Sequence, residues 1–105
     1  MTLNKIKNID LGYLTKEVET NGISPELFCF VLKKEKIGAM NIIYELRRGE
    51  IQPKYVNKLI GIYENAGQFK DAGDLSNEIN LTDNAIINYE KAGWLILSEN
   101  LKRLK

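Results

Sequence analysis

The chain has 105 residues, 44% of them hydrophobic, with 15 basic and 14 acidic side chains for a net charge of +1. That length and apolar share suit one domain with a buried core, and the near-balance of charge argues against a dedicated binder of nucleic-acid backbone. Without histidine, and with Cys29 as its single cysteine, the chain lacks the commonest general base and metal ligand, any Ser-His or Cys-His dyad, an internal disulfide and a Cys-rich zinc site.

No apolar run approaches the roughly 20 residues of a membrane span. The opening "MTLNKIKNIDLG" holds no continuous apolar core of signal-peptide type. A cytoplasmic protein with no membrane partner is expected.

Residues 1–9 are polar apart from Leu3, Ile6 and Ile9 and are expected to be loose. Leu11, Leu14 and Val18 outline a first helix over 10–21. In "GISPELF" Ser24 can cap a second helix, over 24–36, while Pro25 takes the first turn, where its missing N–H costs nothing. The run Leu27 to Leu32 is apolar almost all round, which predicts neighbours on more than one side and a buried, reduced Cys29. Met40, Ile43 and Leu46 outline a third helix over 38–48. The cations of "KKEK" (Lys33–Lys36) and "ELRRGE" (Glu45–Glu50) fall near two helix ends, where carbonyl groups attract them.

Pro53 is expected to open a fourth helix over 53–66, with Val56, Leu59, Ile60 and Tyr63 on one face. Phe69, Ala72, Leu75 and Ile79 repeat that spacing in a fifth, over 68–79, as do Ala85, Ile86, Tyr89 and Ala92 in a sixth, over 82–92. A seventh, over 94–104, carries Trp94, Leu97, Leu101 and Leu104 on one side. Gly22, Gly49, Gly67 and Gly93 each follow a helical pattern and suit the left-handed residue that closes a helix. Linkers this short fold successive helices back antiparallel. The expected fold is one all-α domain over 1–105, built from about seven short antiparallel helices stacked as helical hairpins. Residues 10–52 form an N-terminal set and 53–105 a repeat-like set.

The basis for a repeat is that "YENAG" at Tyr63–Gly67 returns as "YEKAG" at Tyr89–Gly93, each followed by a new helix. "LIGIYENAGQFKDA" resembles a tetratricopeptide-type segment through Leu59, Tyr63, Gly67, Phe69 and Ala72, and "NAIINYEKAG" resembles that family's second-helix pattern through Ala85, Tyr89 and Ala92. The style is also similar to the helical repeats of soluble attachment-factor and coatomer-like solenoids. The resemblance covers about 55–105. It departs from the family in the spacing from Tyr63 to Tyr89, 26 residues against roughly 34, and in Ser76, which stands where a large aromatic is expected. It implies a tetratricopeptide-like array in the C-terminal half that binds a peptide or partner protein in a groove, without catalysis or cofactor.

On that resemblance the partner-binding positions are Lys54, Asn57, Lys58, Glu64 and Asn65, off the packing stripe of the fourth helix together with Gly61. The blander reading makes them the solvated face of an amphipathic helix. Trp94, Leu95, Ile96 and Leu97 cannot all face one core. The last helix therefore either wraps back onto the first helices, closing a globule, or offers apolar surface to a partner or to a second copy. The latter gives a homodimer through Trp94, Leu97 and Leu101. A membrane surface is the weaker reading, since only Lys102, Arg103 and Lys105 supply basic charge.

The rival reading is a DNA-binding helix-turn-helix over about 11–35. Val18, Gly22 and Ile23 have the spacing of its turn, and Ser24, Glu26, Cys29, Phe30 and Lys33 would be the reading positions. None of these is an arginine suited to guanine, and Glu26 repels phosphate, so nucleic acid is the weaker partner. No phosphate loop, H-E-x-x-H or G-x-S-x-G motif occurs. Asp71 and Asp74 are best read as a solvated helix start, and no catalytic residue and no metal ligand is expected.

Overall fold

The computed structural model describes residues 11–20 and 22–104, so the expected loose segment 1–9 lies outside them. The described residues are all-helical, with no strand among them. The order is α1 (Leu11–Glu19), α2 (Pro25–Lys34), α3 (Ala39–Arg47), a 3-10 turn (Pro53–Tyr55), α4 (Asn57–Asn65), α5 (Phe69–Glu78), α6 (Thr82–Ala92) and α7 (Leu95–Leu104). All seven expected helices are present. The one start shifted by more than a residue is that of α4. Tyr55 N–H donates to Gln52 O and Val56 N–H to Pro53 O, three-residue bonds that make a separate tight turn before α4 begins.

Local chemistry sets the helix ends. Ser24 Oγ accepts from Leu27 N at 3.1 Å, with Pro25 in the first turn of α2. The α3 N-terminus is capped from another helix: Asp71 Oδ1 of α5 accepts from Ala39 N at 3.0 Å, and Asn41 Oδ1 accepts from Gly38 N at 3.1 Å. Asp71 is thus a tertiary cap rather than a solvated helix start.

The C-terminal ends share one closure. The N–H groups of Ile37, Glu50, Gln68, Leu81 and Trp94 donate to the carbonyls of Leu32, Glu45, Tyr63, Ser76 and Tyr89, each five residues back. Each such loop needs a left-handed residue just before the donor. Gly49 (φ 80°), Gly67 (φ 76°) and Gly93 (φ 81°) supply three of these. Lys36 (φ 55°) and Asn80 (φ 65°) supply the other two, and neither was expected. Gly22 is not left-handed. Its N–H donates to Glu17 O, and the Glu17 side chain lies where a Cβ on Gly22 would project.

A core runs through α1 to α5, with Val18, Phe28, Leu32, Ala39, Ile42, Ile43, Val56, Leu59, Tyr63, Ala72 and Leu75 all buried. In α3 Ala39, Ile42 and Ile43 are buried, whereas Met40, expected on the inner face, is 65% exposed. The helix turns the Ile42–Ile43–Leu46 side inward and leaves Met40 and Tyr44 outside. Helix α2 is not surrounded. Phe28 and Leu32 are buried, Cys29 is half-buried, and Leu27 and Phe30 are exposed.

Each of α5 to α7 packs on the helix before it, whereas α4 packs on α2 and on the 3-10 turn and α3 packs on α5. That alternation stretches the described chain to 47 × 24 × 24 Å. Helix α7 lies against α6 and does not wrap back onto the first helices to close a globule.

Candidate functional site

Helices α2 and α4 pack side by side but leave an open cleft between them, of about 390 Å³, lined by Pro25, Glu26, Cys29, Phe30, Lys33, Ile62, Asn65 and Ala66. Its construction follows from the two helices. Residues 26, 29, 30 and 33 of α2 are spaced i, i+3, i+4 and i+7, one face of a helix. Opposite them, α4 ends at Asn65 and turns through Ala66 into Gly67. Ile62, at 9% exposure, forms part of the floor. Small Ala66 and half-buried Cys29 leave space that larger side chains would fill.

The cleft is apolar along its length and charged at its two ends. Glu26 stands in the first turn of α2 and Lys33 in the last. Seven residues of helix separate them by roughly 10 Å. Beside the cleft Leu27 (54% exposed) and Phe30 (61%) add open apolar surface, and Lys34 sits over the Phe30 ring at 5.9 Å.

The five partner-binding positions expected on the fourth helix do not form one surface. Lys54, in the 3-10 turn, stands over the Tyr55 ring at 5.2 Å. Asn57 is exposed at the start of α4. Lys58 Nζ donates to the carbonyls of Val18 and Glu19 at 3.3 and 3.4 Å, which ties α4 to the end of α1. Glu64 accepts from Asn88 Nδ2 at 2.8 Å and links α4 to α6. Only Asn65 reaches the cleft.

The cations near helix ends also find partners other than carbonyls. Arg47 makes a two-pronged contact with Glu78 of α5, 2.9 Å at each nitrogen. That contact holds the Glu78 carboxyl below its ordinary range. Arg48 pairs with Glu45 and stands over the Tyr44 ring.

In a helix-turn-helix the second helix must present its reading face to open groove. Of the expected reading positions, Glu26, Cys29, Phe30 and Lys33 line the cleft toward α4 instead. In the last helix, Trp94 is 50% exposed, and Leu97 and Leu101 are intermediate.

The apolar run of α2 predicts neighbours on more than one side, and α2 does pack on both α1 and α4, but the pattern does not show that part of its apolar face stays open as a cleft. A signal was present: α2 puts Leu27 and Phe30 at i, i+3 beside its core residue Phe28, more apolar surface than one short neighbouring helix covers. Among the described residues no cluster of three or more His, Cys, Asp or Glu could hold a metal ion, and no helix is long and apolar enough to cross a membrane. No family model, curated protein or solved structure matches the chain.

Proposed function

We propose that the chain is a non-catalytic protein-interaction module, an adaptor that takes a short segment of a partner protein into the α2–α4 cleft. The observation that carries this reading is an apolar trough bounded by Glu26 at one end and Lys33 at the other, with exposed Phe30 at its edge. A trough of that kind suits about two turns of an amphipathic helix with an apolar anchor between a basic and an acidic side chain.

The tetratricopeptide-like reading of 55–105 belongs to the same proposal. The packing of α5, α6 and α7 each on the helix before it accords with it, as does the identical closure after Tyr63 and after Tyr89. The same closure also ends α2, α3 and α5, so its weight lies in the tyrosines rather than in the turn. The positions Lys54, Asn57, Lys58 and Glu64 play a lesser part here than Asn65, since Lys58 and Glu64 already serve contacts within the fold.

The test is affinity capture with the tagged chain, with and without nuclease, in parallel with the Phe30→Glu variant. Phe30 is mostly exposed, so the variant should keep its thermal melt. A defined protein that is captured by wild type, binds again when purified, and is lost by Phe30→Glu is the expected result. Equal capture by both chains, or capture of nucleic acid with nuclease-sensitive proteins, overturns the reading.

A further inference from the structure

The α2–α4 cleft also constrains the form of what lies in it. Between its ends the walls are Cys29 and Phe30 of α2 and Ile62 of α4, all inside helices. Backbone groups there are taken up in helical hydrogen bonds; Ile62 O, for one, accepts from Ala66 N–H at 3.0 Å. Among the described residues, Asn65 is the one amide or hydroxyl side chain in the lining. An extended segment would set its own N–H and C=O groups against apolar walls with almost nothing to bond them, at a free-energy penalty for each. A helix satisfies those groups internally. The form that suits the cleft is therefore a helix.

The charges at the two ends bear on its direction. Glu26 and Lys33 are both exposed, and among the described residues neither is part of an ion pair. Arg47, Arg48, Lys70 and Lys102, by contrast, each hold a carboxylate of the same chain. An acid and a base seven residues apart on an occupant helix can meet Lys33 and Glu26 together, since the two spacings are equal. Antiparallel to α2, the occupant's acid lies in its own first turn and its base in its last. Parallel to α2, the base would come first and the acid last. The helix dipole stabilises the first order at both ends and opposes the second at both.

On the proposed role of the cleft rests a narrower statement of its partner: we infer that the occupant is a helix antiparallel to α2 that carries an acid, two apolar residues and a base at positions 1, 4, 5 and 8. Those positions share one face. The acid meets Lys33, the base meets Glu26, and the apolar pair between them meets Phe30 and Ile62, where Cys29 and Ala66 leave room. Charge complementarity at both ends is what separates this occupant from an apolar segment of any kind.

The probes are two N-acetylated peptides built on alanine and glutamine, with fluorescein at the C-terminus. The forward peptide carries Glu, Leu, Leu and Lys at positions 1, 4, 5 and 8, and the reversed peptide exchanges only its Glu and Lys. Fluorescence anisotropy with the full chain should show the forward peptide bound about tenfold more tightly. Phe30→Glu should abolish binding of both. Replacing the position-1 Glu of the forward peptide by Gln should weaken it about two- to fivefold on wild type and on Glu26→Gln, but not on Lys33→Gln, where its partner is gone. Equal or tighter binding of the reversed peptide, or coupling of position 1 to Glu26, overturns the inference and leaves the cleft reading standing, as long as Phe30→Glu still abolishes binding. Failure of both peptides to bind overturns it too. Binding that Phe30→Glu does not weaken overturns the cleft reading with it. A chain that sediments as a dimer by itself, and as a monomer in Phe30→Glu, puts a second copy in the cleft and overturns the inference.

Discussion

The Tyr89 hydroxyl donates to Asp74 Oδ1 at 2.5 Å, and this single bond joins the middle of α5 to the C-terminal half of α6. Asp74 is also paired with Lys70 at 2.8 Å, so the phenol meets a carboxylate already held in place. Tyr89 is 4% exposed. Its ring lies over Gly73, the buried glycine of α5. Tyr89→Phe keeps the ring and removes the bond to a charged acceptor, which should cost about 1.5–3 kcal/mol in urea unfolding.

Burial, reinforced for Tyr89 by the Asp74 carboxylate, pushes the Tyr89 and Tyr63 phenols well above their ordinary value of 10.0. A group whose folded-state pKa is raised gives its full stabilisation below the unfolded pKa and loses it as pH rises toward the folded value. Stability should therefore hold up to about pH 10 and fall beyond it. Helicity followed by circular dichroism should fall together with the appearance of phenolate absorbance from these two rings. The double variant Tyr63→Phe, Tyr89→Phe should start less stable but show a shallower alkaline decline.

Arg47 and Glu78 make the opposite case, at acid pH. The hydrogen bond from Arg47 lowers the Glu78 pKa from its ordinary 4.5, and the two side chains join α3 to α5. For a depressed carboxyl the stabilisation is present above the unfolded pKa and lost as pH falls through the folded one. Arg47 is two-thirds exposed, so the pair is screened and contributes little at neutral pH. Glu78→Gln should be slightly less stable than wild type at pH 7 and converge with it below about pH 4. Denaturant melts at both pH values in low salt check it.

Glycine gives a paired test of packing against propensity. A Cβ on Gly73 would lie 2.8 Å from Cδ1 and Cε1 of the Tyr89 ring, whereas a Cβ on Gly61 would meet nothing within 4 Å. Both glycines lie inside helices, where alanine normally gains up to about 1 kcal/mol. Gly61→Ala should show that gain. Gly73→Ala should instead destabilise by about 1–2 kcal/mol, since the ring must move in a closely packed site.

The contrast marks what sequence patterning shows and what it hides. Periodicity is a property of one helix, so the inward faces of α4, α5 and α6 were legible: Val56, Leu59, Ile60, Tyr63, Ala72, Leu75, Ala85 and Tyr89 are all buried. Relations between helices leave no such trace. Nothing in the order of residues says that Asp71 caps α3, that Lys58 reaches the end of α1, or that Glu64 is taken by Asn88. Polar positions off the stripe of α4 therefore read as a surface available to a partner, although two of them are bound within the fold. The cleft was hidden for the same reason, because its walls come from helices whose ends lie about 30 residues apart in sequence.

The helix closures lead to a final prediction. Patterning identified Gly49, Gly67 and Gly93 because glycine is the usual left-handed residue, and missed Lys36 and Asn80 because neither is. A left-handed backbone costs a residue with a Cβ about 1–2 kcal/mol, which asparagine partly avoids through its short polar side chain. Glycine at such a site removes that cost but gives back about 0.5–1 kcal/mol through the greater freedom of the unfolded chain. Lys36→Gly should then stabilise the fold by about 0.5–1 kcal/mol, and Asn80→Gly should leave it nearly unchanged. Thermal and urea melts of the two variants distinguish the cases. A loss of stability in Lys36→Gly would mean that the lysine side chain contributes more at the end of α2 than its backbone conformation costs.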